Sequence, residues 1–182
     1  MIGLEKPVFI NEAPCTECAE CHDRQLVDAV QKLGLAEYGV PMCMLDIAIF
    51  GTKASQKSRE AFPLYHGNKE LEFLGDRVLK LVHGEWIAED RQAKRITRIG
   101  VVAQALEMNH TFRQYMKQMG DVCTTIVDPG SKACANIFEA IVGSLYTTYN
   151  VGPANNAIHV VKNWLETKTP SLQHRRDLWE NA

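Results

Sequence analysis

Apolar residues recur at helical spacing along most of the chain, and almost nothing alternates with period two. From Arg24 to Leu35 the apolar positions Leu26, Val27, Val30, Leu33 and Leu35 predict a helix. Pro41 to Ala54, with Met42, Met44, Leu45, Ile47, Ala48 and Ile49, predicts another. The stretch from Gly51 to Ser58 reads as a polar break that Pro63 and Gly67 prolong. Asn68 to Ala88 carries the strongest pattern, with Leu71, Phe73, Leu74, Val78, Leu79, Leu81, Val82, Trp86 and Ile87. Asn68 is placed to cap it, and Glu70 lies in a first turn whose dipole favours an acid. Shorter patterns run over Ile96–Leu106 and Thr111–Met119. After the turn formers around Asp128-Pro129-Gly130, Ala133–Tyr149 is mostly apolar and predicts a buried helix; an amphipathic helix over Asn155–Thr167 closes the chain. The expected fold class is all-α. Residues 1–23 read as an N-terminal arm with a cysteine cluster, 24–168 as one helical domain and 169–182 as a tail.

A chain of 182 residues with 46% hydrophobic and 23% charged positions has the composition of one globular domain, which excludes disorder and fibrous architecture as overall readings. The net charge of −2 means that a polyanionic partner must be met by a local basic patch. No apolar run approaches the roughly 20 residues of a membrane helix, and no apolar stretch follows a basic head at the start. The expectation is an intracellular protein with no membrane partner, cytoplasmic by default and with an organelle left open. Without an export signal, the six cysteines are expected as reduced thiols. Cys15, Cys18, Cys21 and His22 form CxxCxxCH, which resembles half of a zinc site. Cys21 and His22 are adjacent, which makes joint ligation awkward, and no second ligand pair follows. Thiols in an arm are the plainer reading of this cluster. The Met108/Met116/Met119 and Trp86/Trp164 positions read as core, and His66, His83, His110 and His159 as surface or packing residues.

Carboxylates mark the two strongest helical patterns. Glu72 and Asp76 are four residues apart on one helix face, a spacing at which two anions repel; they are either solvated or hold a cation. Arg77, the base next to Asp76, points about a quarter-turn away. Gly75 costs roughly 1 kcal/mol in a helix interior relative to Ala, and so needs a reason, such as close approach of another backbone. Asn136 and Glu139 share a face of the apolar helix, where a Glu is expensive unless paired, neutralised or metal-bound. Side by side, the two helices would converge Glu72, Asp76, Asn136 and Glu139 on one point. Magnesium, which takes hard oxygen ligands and retains water, suits such a set.

The segment Asn68-Lys-Glu-Leu-Glu-Phe-Leu-Gly-Asp-Arg-Val-Leu resembles the signature of the ribonuclease III endonucleases, N-E-R-L-E-F-L-G-D-x-V-L. Ser131-Lys-Ala-Cys-Ala-Asn-Ile-Phe-Glu-Ala-Ile-Val-Gly-Ser-Leu-Tyr resembles the second motif of that family, K-x-x-A-D-x-x-E-A-L-I-G-A-x-Y, and follows it in the required order. Leu45-Asp-Ile-Ala and Ile96-Thr-Arg-Ile-Gly add weaker similarity, so that the resemblance spans about residues 24–168. It implies a dimeric, all-helical endonuclease domain. Glu72, Asp76 and Glu139 would be the catalytic acids; together with Asn136 they would bind Mg²⁺, with Mn²⁺ as an alternative. Phe73 would be the aromatic that enters a cavity of the partner subunit. The implied reaction is hydrolysis of double-stranded RNA to 5′-phosphate and 3′-hydroxyl ends with two-nucleotide 3′ overhangs.

The chain departs from the family pattern at Asn136, where the family has Asp, at Lys69, where it has Glu, and at Gly51-Thr52-Lys53 in place of its T-H-R loop. Asn136 leaves three readings open: a natural active variant, a natural inactive relative and an engineered substitution. The alternative function is therefore an impaired RNA-binding or scaffold subunit, and a heterodimer with a paralogue stands beside the homodimer. No separate double-stranded RNA-binding domain is expected, an architecture shared with Mini-ribonuclease III. RNA would then meet Lys53, Lys57, Arg59, Lys94, Arg95, Arg98 and Lys132, with Arg175 and Arg176 in the tail, through its phosphates and 2′-hydroxyls.

Overall fold

The computed structural model describes residues 24–92, 98–150 and 156–169. Eight α-helices are present among them: α1 (Arg24–Lys32), α2 (Met42–Phe50), α3 (Gln56–Ala61), α4 (Lys69–Gln92), α5 (Ile99–Leu106), α6 (Asn109–Gln118), α7 (Lys132–Tyr149) and α8 (Ala157–Lys168). The described residues contain no strand, in keeping with the all-α expectation, and none of their helices is long and apolar enough to cross a membrane. Leu35–Tyr38, Gly51–Lys53 and Val122–Thr125 form 3₁₀ turns. The stretch expected as a polar break contains α3, because the hydroxyl of Ser55 accepts from the backbone N–H of Ser58 at 3.1 Å and caps a new helix.

The middle of the fold is α7. Its apolar residues are buried nearly all round, and it packs against α4, α6, α8 and α2. Phe138 on α7 lies 5.4 Å from Phe112 of α6 and 6.1 Å from Trp164 of α8, ring centroid to centroid. Buried Trp and Tyr side chains need a partner for their polar tip. Here Trp164 donates to the Leu33 carbonyl at 2.9 Å and Tyr149 to the Tyr38 carbonyl at 2.8 Å, which ties α8 and α7 to the N-terminal third. Trp86, Met116 and Met119 are core as expected. Met108 is not: it precedes the first turn of α6 in an extended conformation and is 50% exposed.

Cys123 and Cys134 also depart from expectation. They form a disulfide with Cα atoms 5.7 Å apart, joining the 3₁₀ turn before α7 to the first turn of α7. The chain turns back through Asp128-Pro129-Gly130, where the Gly130 N–H bonds Asp128 Oδ1 at 3.0 Å. That return, a tertiary matter that cysteine spacing does not reveal, brings the two sulfurs together.

Candidate active site

The site begins with two glycines. Where α4 crosses α7, a Cβ on Gly75 would fall on the carbonyl oxygen of Glu139, and a Cβ on Gly143 on that of Leu71. The two main chains touch with no side chain between them, the close approach that was one reason open for Gly75 in the sequence. Because the contact uses the backbone of Glu139 itself, and Asp76 follows Gly75 directly, the crossing fixes where the acids stand. α7 brings Glu139, whose residue is 9% exposed, within reach of the charges of Asp76 and Glu72 on α4.

The three acids share one electrostatic field. Burial, then the charge of Asp76, then that of Glu72 push the Glu139 carboxyl up from 4.5 to about 7, against the pull of Lys132 and Lys80. One turn before Glu139, the side-chain carbonyl oxygen Asn136 Oδ1 is buried and accepts no hydrogen bond within the described structure. A buried acceptor without a donor is costly, and a cation is one way to satisfy it.

Two lysines complete the arrangement. Lys69 Nζ donates to both carboxylate oxygens of Glu72, at 2.7 and 3.0 Å, and Lys80 Nζ donates to Asp76 Oδ2 at 2.9 Å. Arg77 Nε lies 3.8 Å from the same Asp76 oxygen, while its guanidinium carbon sits 5.1 Å over the ring of Phe73. The sequence reading, which weighed only Arg77 as a local base, missed both lysines. The signal was there: Lys69 is three residues before Glu72, Lys80 is four after Asp76, and such pairs meet on a helix surface.

Hard oxygen donors and an orphaned amide oxygen suit a magnesium-like ion in chemical type. Glu72, Asp76, Asn136 and Glu139 are the residues that would hold it. No three His, Cys, Asp or Glu side chains among the described residues are already gathered closely enough to hold a metal. Two of the acids face ammonium groups instead.

The remaining candidates scatter. Phe73 is 64% exposed on α4, with Leu81 two turns on at 52%. Lys53 is exposed in its 3₁₀ turn, Lys57 is half-buried on α3, and Arg98 is exposed before α5. Arg59 Nη1 donates to the Thr52 carbonyl at 3.4 Å. Lys132, the first residue of α7, is exposed and reaches the acids through its charge on Glu139. Lys94, Arg95, Arg175, Arg176 and the Cys15/Cys18/Cys21/His22 cluster lie outside the described residues. His83 is a packing residue, 1% exposed, with its ring centroid 5.5 Å from Trp86 and 6.3 Å from Phe112; His66, His110 and His159 are exposed. A cavity of about 340 Å³ opens between α4 and α8 at Glu85, Lys162 and Glu166, and none of the predicted site residues lines it.

Comparison of the chain with protein-family models, curated proteins and solved structures returns no match.

Proposed function

We propose that this chain is a metal-dependent endonuclease of double-stranded RNA, of the ribonuclease III type, acting as a dimer. The observation that carries the reading is the glycine-on-backbone crossing of α4 and α7, which holds Glu139 in the field of Glu72 and Asp76 beside the orphaned Asn136 Oδ1. A buried apolar helix does not keep a carboxyl at such a point without use for it. Mg²⁺ or Mn²⁺, when bound, would lower the pKa of a water and stabilise charge developing on the phosphate. Glu139 would ligate as the deprotonated carboxylate, and Glu72 and Asp76 would ligate or orient from the facing helix. Asn136 would offer a neutral oxygen, leaving the set one charge short of four acids. Lys132, at the mouth of the site, would meet a backbone phosphate. Exposed Phe73, braced by Arg77, would be the point of subunit contact.

The test is a gel of labelled duplex RNA with and without Mg²⁺. Cleavage that needs the metal and is lost in Glu139→Gln and Glu72→Gln, with far-UV circular dichroism unchanged, is the expected result. A Glu139→Gln protein as active as the parent defeats the proposal.

A second reading is favoured by Asn136 and by the lysines on Glu72 and Asp76: a chain that binds duplex RNA without cutting it. Asn136→Asp separates the two. Cleavage appearing from nothing marks a silenced site, whereas a modest change in existing cleavage marks a tuned one.

A further inference from the structure

We propose that Lys69 and Lys80 are built-in competitors of the metal ion, each occupying a carboxylate that the ion needs until a polyanion draws it away. The inference rests on the reading of the acids as metal ligands and says how their loading is controlled.

The two ammonium groups bracket the acids along α4. Lys69 approaches Glu72 from the N-terminal side and engages both of its oxygens; Lys80 approaches Asp76 from the C-terminal side. Both carboxylates are partly screened from water, with side chains 17% and 29% exposed, so a nearby positive charge acts on them with some force. The lysines are freer: their side chains are 72% and 39% exposed, so Lys69 above all can swing off into solvent. The pairs are therefore strong enough to oppose a divalent ion and loose enough to exchange.

Ordinary helix support does not account for Lys69. It is the first residue of α4, where the helix dipole disfavours a cation, and it precedes its acid, the less favourable order for such a pair. Its position makes sense as a counter-charge to Glu72. Duplex RNA presents a dense row of phosphates that compete for lysine. Each ammonium group that turns to a phosphate uncovers a carboxylate, so RNA and metal tighten each other's binding by the same factor.

The experiment titrates Mn²⁺ alone into RNA-free protein and reads free Mn²⁺ by electron paramagnetic resonance. A unit charge about 4 Å from a divalent ion changes affinity by at most about thirtyfold in a water-like medium, and a lysine that can swing aside and is screened by salt leaves about fivefold of that. Lys69→Gln and Lys80→Gln should each tighten Mn²⁺ binding about fivefold and the double variant at least tenfold, while Lys69→Arg with Lys80→Arg keeps the parent affinity. Circular dichroism checks the fold, and the single variants carry the test should the double variant not fold. Equal affinity in the parent and the Gln variants overturns the competition and leaves the metal site standing. Arg variants tightened as much as the Gln variants overturn it too. Absence of Mn²⁺ binding in every protein overturns the metal site, and the competition with it.

Discussion

The sharpest prediction concerns Gly75→Ala. A methyl group there lands on the Glu139 carbonyl oxygen, which is main chain and cannot rotate aside. Either α4 moves off α7 or the local backbone distorts. Overpacking in a close-packed interior costs typically 1–3 kcal/mol, and a contact with rigid main chain belongs at the upper end (about 3). Against this stands the better helix propensity of Ala, about 1 kcal/mol. The net loss is about 2 kcal/mol. For a chain of this size each kcal/mol moves the melting temperature by about 2–4 °C, so a fall of about 4–8 °C is expected. Gly84, on the same helix, supplies the control: a Cβ there meets nothing within 4 Å. Gly84→Ala should gain up to about 1 kcal/mol from propensity alone. The two substitutions share their chemistry and their helix and differ in what faces them. Urea unfolding followed by circular dichroism at 222 nm measures both. If Gly75→Ala matches or exceeds the parent in stability, the backbone crossing does not exist as described, and the account of how the acids are held fails with it.

Three further outcomes follow from other parts of the structure. Glu139 titrates near 7 in the folded chain against 4.5 when exposed, so between those values the folded state holds the extra proton. Stability should therefore fall as pH rises from about 4.5 to 7 and level off above, by about 2 kcal/mol after screening, and Glu139→Gln should flatten that part of the profile in urea titrations. Reducing the Cys123–Cys134 disulfide, which joins residues 11 apart in sequence, should cost about 2–3 kcal/mol in thermal unfolding with and without dithiothreitol. Cys123→Ser with Cys134→Ser should remove this bridge's share of the reductant effect. Phe73→Ala should alter the stability of an isolated subunit by less than about 0.5 kcal/mol, because the ring is mostly exposed, yet shift sedimentation toward monomer if Phe73 is the subunit contact.

The helices that position the acids were legible because the apolar pattern of α4 is long and α7 is apolar nearly all round. Gly75 hinted at the crossing through its misfit in a helix, although Gly84, in the same helix with nothing facing it, carried the same sign. Glu139 was legible in the same way, as a charge in an apolar run. The lysine pairs were readable and passed over, since attention to Arg77 beside Asp76 hid Lys69, three positions before Glu72, and Lys80, four after Asp76. What no local pattern could give was the return of the chain that joins Cys123 to Cys134, or the exposure of Met108. Both depend on how the segment between α5 and α7 folds back, and hydrophobic spacing carries no record of that. Helix α3 was hidden for a different reason: its helix signal is the Ser55 cap, in a stretch too polar to show a period.

The α4–α7 seam joins atoms that every residue possesses. Exchanging Glu72, Asp76, Asn136 or Glu139 for another residue alters what the site can do chemically but leaves untouched the carbonyls and glycines that set the spacing. Scaffold and cargo are thus separable here: an acid can become an amide while the frame stays in register, and the reverse exchange finds its place already prepared.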